Sequence, residues 1–462
     1  MATRVEDEKV VLSDKDALSP KVASLGPVID PGDDIMTRMS ALLPPDPERV
    51  VIRPFMPADD VAPFIIEGRS RAQRIADRVL SLDEADLHNE YVGTCGPLAE
   101  RHRNLDAVLM RRFHQVNGLI IDPCAVSSEQ ALLIGAYFSE EYSFEAAALF
   151  NPSIVPHPDQ ANVAEGAVRF ILSLRAVGEG HISSVTFRTG VWQADGTVLM
   201  DPSSIQAISP RTEAIPGGAP DDPGIRLICD QSKDLSEIVI YPITPSQRHG
   251  IEDLRLVRFV NEDGNVTYLG TYTAFGGADV RQELLRTTDF STFEMSAMRG
   301  EATANKGMAL FPRKIHGHYA MLGRQDHENI WFLTSPDLYS WEGGAKIVEP
   351  RWPWEYVQMG NCGSPIEIDE GWLVITHGVG AVRNYCIGAC LLDKDDPTKV
   401  LGRVKIPLLR PRLRERSGYV PNVIYSCGAM AHNRQLLLPY AVADSFTTFA
   451  TVSLDRLVAA LS

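Results

Sequence analysis

The sequence predicts a mainly β protein, a five-bladed β-propeller preceded by a small helical N-terminal domain, and three observations lead there. From Phe144 onward, short apolar stretches bounded by Gly and Asp turns replace the helical spacing that comes before. Five of these stretches can be laid over one another: RFILSLRA, TYLGTYTA, HYAMLGRQ, GWLVITHG and QLLLPYAV, anchored at Phe170, Tyr268, Tyr319, Trp372 and Leu436. A second repeat, TTDFSTFE around Asp289 and TSPDLYSWE around Asp337, sets an acid, an aromatic residue and a glutamate in corresponding places. Repeats of this length over residues 144–462 suit four-stranded blades with long loops.

Residues 1–45 are polar, punctuated by proline and end in LLPPDPERV, so they are expected to form a flexible arm. Residues 46–143 turn helical: Ile75, Val79 and Leu82 recur at helical spacing, as do Leu98, Leu105, Leu109 and Phe113. A further helix is expected from SSEQALLIGAYF, where Ser127 and Gln130 form a capping pair. The arginines of this region, Arg69, Arg71, Arg74, Arg78, Arg101, Arg103, Arg111 and Arg112, read as a solvated helix face, with reach over an anionic substrate as the alternative. Its apolar stripes are too few for an independent core, so it is expected to pack on the propeller or to join subunits as a homo-oligomer.

Lys and Arg number 44 against 60 Asp and Glu, a formal charge of −16. That balance argues against nucleic-acid and anionic-membrane surfaces, which reward clustered positive charge, and favours a small polar substrate. The seven cysteines are scattered without paired spacing and read as reduced, buried thiols. No apolar leader or bilayer-length run is present, so a cytoplasmic location is expected. His157, His181, His316, His318, His327 and His377 lie on different segments, and no metal is expected.

The chemistry is expected at GIEDLRLVRF, residues 250–259. A turn at Glu262, Asp263 and Gly264 leads from it into NVTYLGTYTAFGG, which predicts an antiparallel hairpin. Regular alternation would put Asp253 and Arg255 on one side and Glu252 on the other; a surface ion pair at a strand end is the plainer reading. Five positions after the anchors stand Arg175, Thr273, Arg324, His377 and Ala441. Blades are related by rotation, so the three basic groups would form part of a ring suited to an anion or to sugar hydroxyls. The segments opening each repeat, FNPSIV with Asn151, GIEDLR with Asp253, NKGMALFP with Lys306, GNCGSPI with Asn361 and VPNVIY with Asn422, should turn polar members into the same channel.

The order NPS, ED-x-R, NK-x-x-x-LFP, GSPI, THG, PNV and VADS, over about residues 144–462, resembles glycoside hydrolase family 130. That family consists of five-bladed propellers acting on β-mannosides, most by phosphorolysis and some by hydrolysis. The resemblance implies that Asp253 is the proton donor and that Arg255 holds the donor or the sugar. It implies substrate contacts from Asn151, Asn422 and Asp444, and phosphate contacts from Arg175, Lys306, Arg324 and His377. Inorganic phosphate would be the co-substrate of a small oligosaccharide, with no other cofactor. In the family the acid works through a mannose hydroxyl while phosphate attacks the anomeric carbon from the other face, so a single displacement inverts the centre. Two departures stand out: Leu254 replaces the usual proline, and Ser184 stands where many phosphorylases carry arginine. The alternatives are a β-mannosidase using water and a non-catalytic sugar-binding propeller. Glu252 facing away and Glu179 beyond the first blade make poor bases for the former, and Asp253 with Arg255 argues against the latter.

Overall fold

Alternation of apolar residues on two-sided strands dominates the chain, and the computed structural model, which describes residues 35–62, 68–119, 126–215, 224–277 and 279–461, is mainly β. Each of the five superimposable stretches is the second strand of an antiparallel meander: Val168–Val177, Val266–Phe275, Tyr319–Gly323, Gly371–Val379 and Gln435–Val442. Before each runs the strand that carries or adjoins the opening motif: Ala148–Pro156, Gly250–Val260, Ala309–Leu310, Gln358–Asn361 and Ile424–Tyr425. After each come Ser183–Trp192, Val280–Thr287, Ile330–Ser335, Tyr385–Leu392 and Phe446–Ser453. A second strand has neighbours on both edges, which is why Phe170, Tyr268, Trp372 and Leu436 are buried. The acids of the other repeat hold hairpin turns: Asp289 accepts the N–H groups of Ser291 and Thr292, and Asp337 that of Tyr339.

Successive meanders meet mainly through their first strands and the segments beside them. Gly250 bridges to Ser183 in parallel, and a Cβ there would lie 2.3 Å from Ser183 Oγ, so only glycine allows this approach. Leu256 N–H donates to Ser153 Oγ at 3.0 Å, Met359 N–H to Glu328 O at 2.9 Å, Tyr385 N–H to Asn422 O at 2.9 Å and Cys427 N–H to Pro152 O at 2.8 Å. The last of these joins the fifth meander to the first.

The expected arm divides. Residues 1–34 lie outside the described residues, but Thr37–Leu43 is a strand on the outer edge of the last meander, paired antiparallel with Phe446–Ser453. Met36 is buried at its start, and Arg38 bonds Glu415 and Tyr440. Its partner comes from the other end of the sequence, so no local pattern could announce the pairing.

The helices form where expected: α1 (Arg71–Leu80), α2 (Glu84–Arg101), α3 (Leu105–Val116) and α4 (Ser128–Tyr137). Ser70 with Gln73 and Ser127 with Gln130 close capping boxes on α1 and α4. Two strands flank the helices and pair with each other, Val50–Pro54 and Ser139–Ser143. Val79, Leu109, Phe113, Leu133, Ile134 and Phe138 are buried between the helices. The unit packs against the meanders: Arg103 forks onto Glu237 at 2.8 and 2.9 Å, and Tyr142 donates to Glu179 O at 2.9 Å. At this joint, fully buried Glu145 is shared by Arg49 and Arg188. Cys95, Cys229, Cys362, Cys386, Cys390 and Cys427 are buried and free, while Cys124 lies outside the described residues. Among the described residues no helix is long and apolar enough to cross a membrane.

Deleting residues 37–43 bares the edge of Phe446–Ser453 to solvent. The truncated protein is expected to melt at least about 5 °C lower and to aggregate near its transition, as read by thermal unfolding with light scattering.

Candidate functional site

Two matching irregularities build the site. In the first meander the register slips between Phe150 and Ser153, and in the second between Glu252 and Arg255. Asn151 and Asp253 sit at the slips with φ of 48° and 55°. Asn and Asp enter this left-handed region more readily than other non-glycine residues, because their short polar side chains bond locally. The bulge interrupts the alternation, so Glu252 and Asp253 turn into the same site instead of opposing faces. The expectation that Glu252 faces away is therefore corrected: it assumed a regular strand.

Around these carboxylates the side chains are closely paired. Asn151 Nδ2 donates to Asp253 Oδ1 at 2.7 Å, and Arg175 Nη1 reaches the same oxygen at 3.4 Å. Arg175 Nη2 bonds Glu252 Oε1 at 2.8 Å, and Lys306 Nζ bonds Glu252 Oε2 at 2.6 Å. Asp253 keeps about a fifth of its side chain exposed (21%), so the group is open to a ligand.

Arg255 lies beneath, buried, and spends its donors on Asn361 O at 2.7 Å and Tyr425 OH at 2.6 Å. It acts on Asp253 through charge and ties three meanders together; the expected direct hold on the donor is not made. Across the floor, Arg324 Nη1 meets His377 Nε2 at 3.4 Å, and Arg324 has no carboxylate partner among the described residues. His377 packs on Tyr385 and Tyr425. Gly360 makes room for it, since a Cβ there would lie 2.6 Å from His377 Cε1.

The electrostatics separate these groups. Burial pushes Asp253 upward, but Arg175, the Asn151 hydrogen bond, Arg255 and Lys306 outweigh it and hold the carboxyl below its ordinary value. Asp444 goes the other way: burial and then the charge of Asp253 raise it to about 6, so of two neighbouring carboxyls one is held ionised and the other keeps its proton up to about pH 6. Burial, Arg324 and Arg255 depress His377 well below its ordinary value. It is a neutral imidazole, and the reading of it as a cation is corrected.

The structure thus brings together Asn151, Arg175, Asp253, Lys306 and, through its charge, Asp444, with Arg324 and His377 paired on the other side of Arg255. Asn422, at φ 63°, enters through its carbonyl, which accepts Tyr385 N–H; its side chain bonds none of the other site residues. Ser184 is buried in the sheet opposite Ala176. Sequence reasoning missed the inward turn of Glu252 and the parts played by Tyr425 and the Asn361 carbonyl. The alignment of Asn151 with Asp253 in equivalent repeats was a usable signal for the bulge.

Residues 230–462 match the family model of glycoside hydrolase family 130, described as beta-1,4-mannooligosaccharide phosphorylase. A 1,2-beta-oligomannan phosphorylase from Thermoanaerobacter sp. (strain X514) is 36% identical over 216 residues, 46% of this chain and 71% of that one. A beta-1,2-mannobiose phosphorylase from Listeria innocua is 35% identical over 215 residues, 45% of this chain and 58% of the relative. A solved glycoside hydrolase-like structure from Parabacteroides distasonis superimposes with a TM-score of 0.50 at 20% identity, over 69% of this chain and 90% of that one, a likeness of fold. The chain belongs to glycoside hydrolase family 130 and is an enzyme of glycosyl-transferring type. Asn151 and Arg175 lie before the matched stretch, and their place in the site comes from the geometry alone.

Asp444→Asn tests the carboxyl pair. A carboxyl raised in the folded state costs stability once it ionises, so the wild type should lose stability as pH climbs from about 4 through about 6, and the variant should not. Thermal melts at pH values on either side should show the variant gaining on the wild type only at the higher pH.

Proposed function

We propose that the chain is an inverting β-mannoside phosphorylase: inorganic phosphate attacks the anomeric carbon of a β-linked mannose and α-mannose 1-phosphate leaves. Asp253 is the proton donor to the leaving oxygen, Asn151 and Arg175 orient it, and Asp444 and Asn422 contact sugar. Arg324, His377 and Lys306 receive the phosphate. The observation that carries this reading is Arg324, a cation at the site with no carboxylate partner among the described residues, whose nearest side-chain contact is the neutral His377 imidazole. A phosphate dianion needs such charge-assisted contacts to offset its dehydration. The low resting position of Asp253 fits too: phosphate charge near Arg175 and Lys306 would offset the cations that hold the carboxyl down and help it take its proton.

We infer also that the five meanders are blades of one five-bladed propeller over residues 144–462, completed by strand Thr37–Leu43, with residues 46–143 as a helical domain beside it. The hydrogen bond from Cys427 N–H in the fifth meander to Pro152 O in the first supports closure.

Hydrolysis is the second reading, and the inward turn of Glu252 favours it, since an inverting hydrolase needs a carboxylate base for water. Against it, both Glu252 oxygens are engaged by Arg175 and Lys306.

Asp253→Asn should retain fold and sugar affinity and lose on the order of a hundredfold in turnover; near wild-type turnover would remove Asp253 from the donor role. Arg324→Met should raise the KM for phosphate about tenfold or more while leaving the KM for a β-mannoside within about twofold. Free mannose released at full rate in phosphate-free buffer would establish the hydrolase.

A further inference from the structure

A cavity of about 880 Å³ opens between the helical unit and the first two meanders, away from the carboxylate cluster. Strand Val50–Pro54 and helix α3 form one wall, and residues 207–212 and 241–248 form the other. Six arginines line it, Arg53, Arg103, Arg111, Arg112, Arg211 and Arg248, and among its described lining residues there is no Asp or Glu. In a chain of net charge −16 that is a marked local reversal.

Carboxylates outside the lining balance half of these cations. Arg53 pairs with Glu140, Arg103 with Glu237, and Arg211 with Glu213 and Asp230. The other three have no carboxylate partner among the described residues. Arg112 donates to the carbonyls of Phe138 at 2.7 Å and Phe55 at 2.9 Å and to Gln115 Oε1 at 3.1 Å, and Arg248 to Gly276 O at 2.8 Å. Burial without a counter-charge lowers the pKa of Arg112. Tyr241 adds a separate sign: it lines the cavity, and its hydroxyl oxygen is buried with no hydrogen-bond partner. Buried polar groups are ordinarily satisfied, so an orphan hydroxyl in a cation-lined cavity points to a missing acceptor.

We propose that this cleft binds a small organic molecule carrying two phosphate groups. Guanidinium forks match phosphate oxygens two at a time, and three uncompensated cations exceed what one phosphate requires. The volume suits a sugar-sized body between the phosphates, which a single inorganic ion would leave mostly empty. Arg248 stands two residues before Gly250, where the strand bearing Glu252 and Asp253 begins, so a bound ligand would bridge the helical unit to that strand. The proposal is independent of the reaction proposed above.

The test is calorimetric titration of the full chain with glucose 1,6-bisphosphate, pyrophosphate and inorganic phosphate. An Arg324→Met background weakens phosphate binding at the catalytic site, so a heat of unchanged affinity in that background reports the cleft. The bisphosphate is expected to bind at one equivalent per chain, and affinity should fall about tenfold or more in Arg111→Ala/Arg248→Ala, two exposed side chains whose loss leaves the fold intact by circular dichroism. Tyr241→Phe should weaken binding without lowering the melting temperature. No saturable heat from the bisphosphate or pyrophosphate at millimolar concentration would overturn the proposal, as would unchanged affinity in the double variant. Inorganic phosphate binding as tightly as the bisphosphate would overturn the two-phosphate assignment.

Discussion

A left-handed backbone at one aspartate sets the direction of the two carboxylates at the centre of the site. At φ 55°, Asp253 shifts the strand register so that Glu252 and Asp253 project together, and without that shift Glu252 would leave Arg175 and Lys306 without their shared partner. A non-glycine residue in this region costs on the order of 1–2 kcal/mol. Charge-assisted hydrogen bonds, each contributing on a similar scale, offset it. The first meander repeats the device at Asn151, whose amide then meets Asp253 across the gap between strands. The two bulges therefore hold each other in place.

Beneath them Arg255 transmits charge without touching the carboxylates. Its bonds to the Asn361 carbonyl and Tyr425 pin three meanders around one buried guanidinium, and its field reaches Asp253 on one side and His377 on the other. Removing it would loosen the floor and shift both groups at once. Burial, with the fields of Arg324 and then Arg255, keeps His377 neutral, so the imidazole adds no charge to the site.

Much of the β architecture was legible because a strand with neighbours on both edges must alternate or run apolar, and a large anchor such as Trp372 is buried in four of the five copies. The helical caps at Ser127 and Gln130 were equally local. What escaped was what local pattern cannot encode. Period-two reasoning assigns Glu252 to the wrong face because a bulge breaks the period, and the strand Thr37–Leu43 looks like an arm because its partner lies at the far end of the sequence. Arg255 read as a ligand-holding residue because its burial depends on Asn361 and Tyr425, which arrive from two other meanders. Arg111 and Arg112 read as a solvated face because the opposite wall of their cleft comes from residues far along the chain.

That terminal pairing also gives the molecule a schedule. Strand Thr37–Leu43 leaves the ribosome early, but Phe446–Ser453 follows only after roughly 20 to 80 s of synthesis at ordinary elongation rates. Until then the first strand has hydrogen-bonding groups exposed and no sheet to join, and the nascent chain carries an unpaired edge while the residues between the two strands are made. Pairing strands so distant makes this a late, slow event with a large loop to close. A circular permutant joining the two strands through a short linker would let the last meander form as a local hairpin, turning the final step of folding into one of the first.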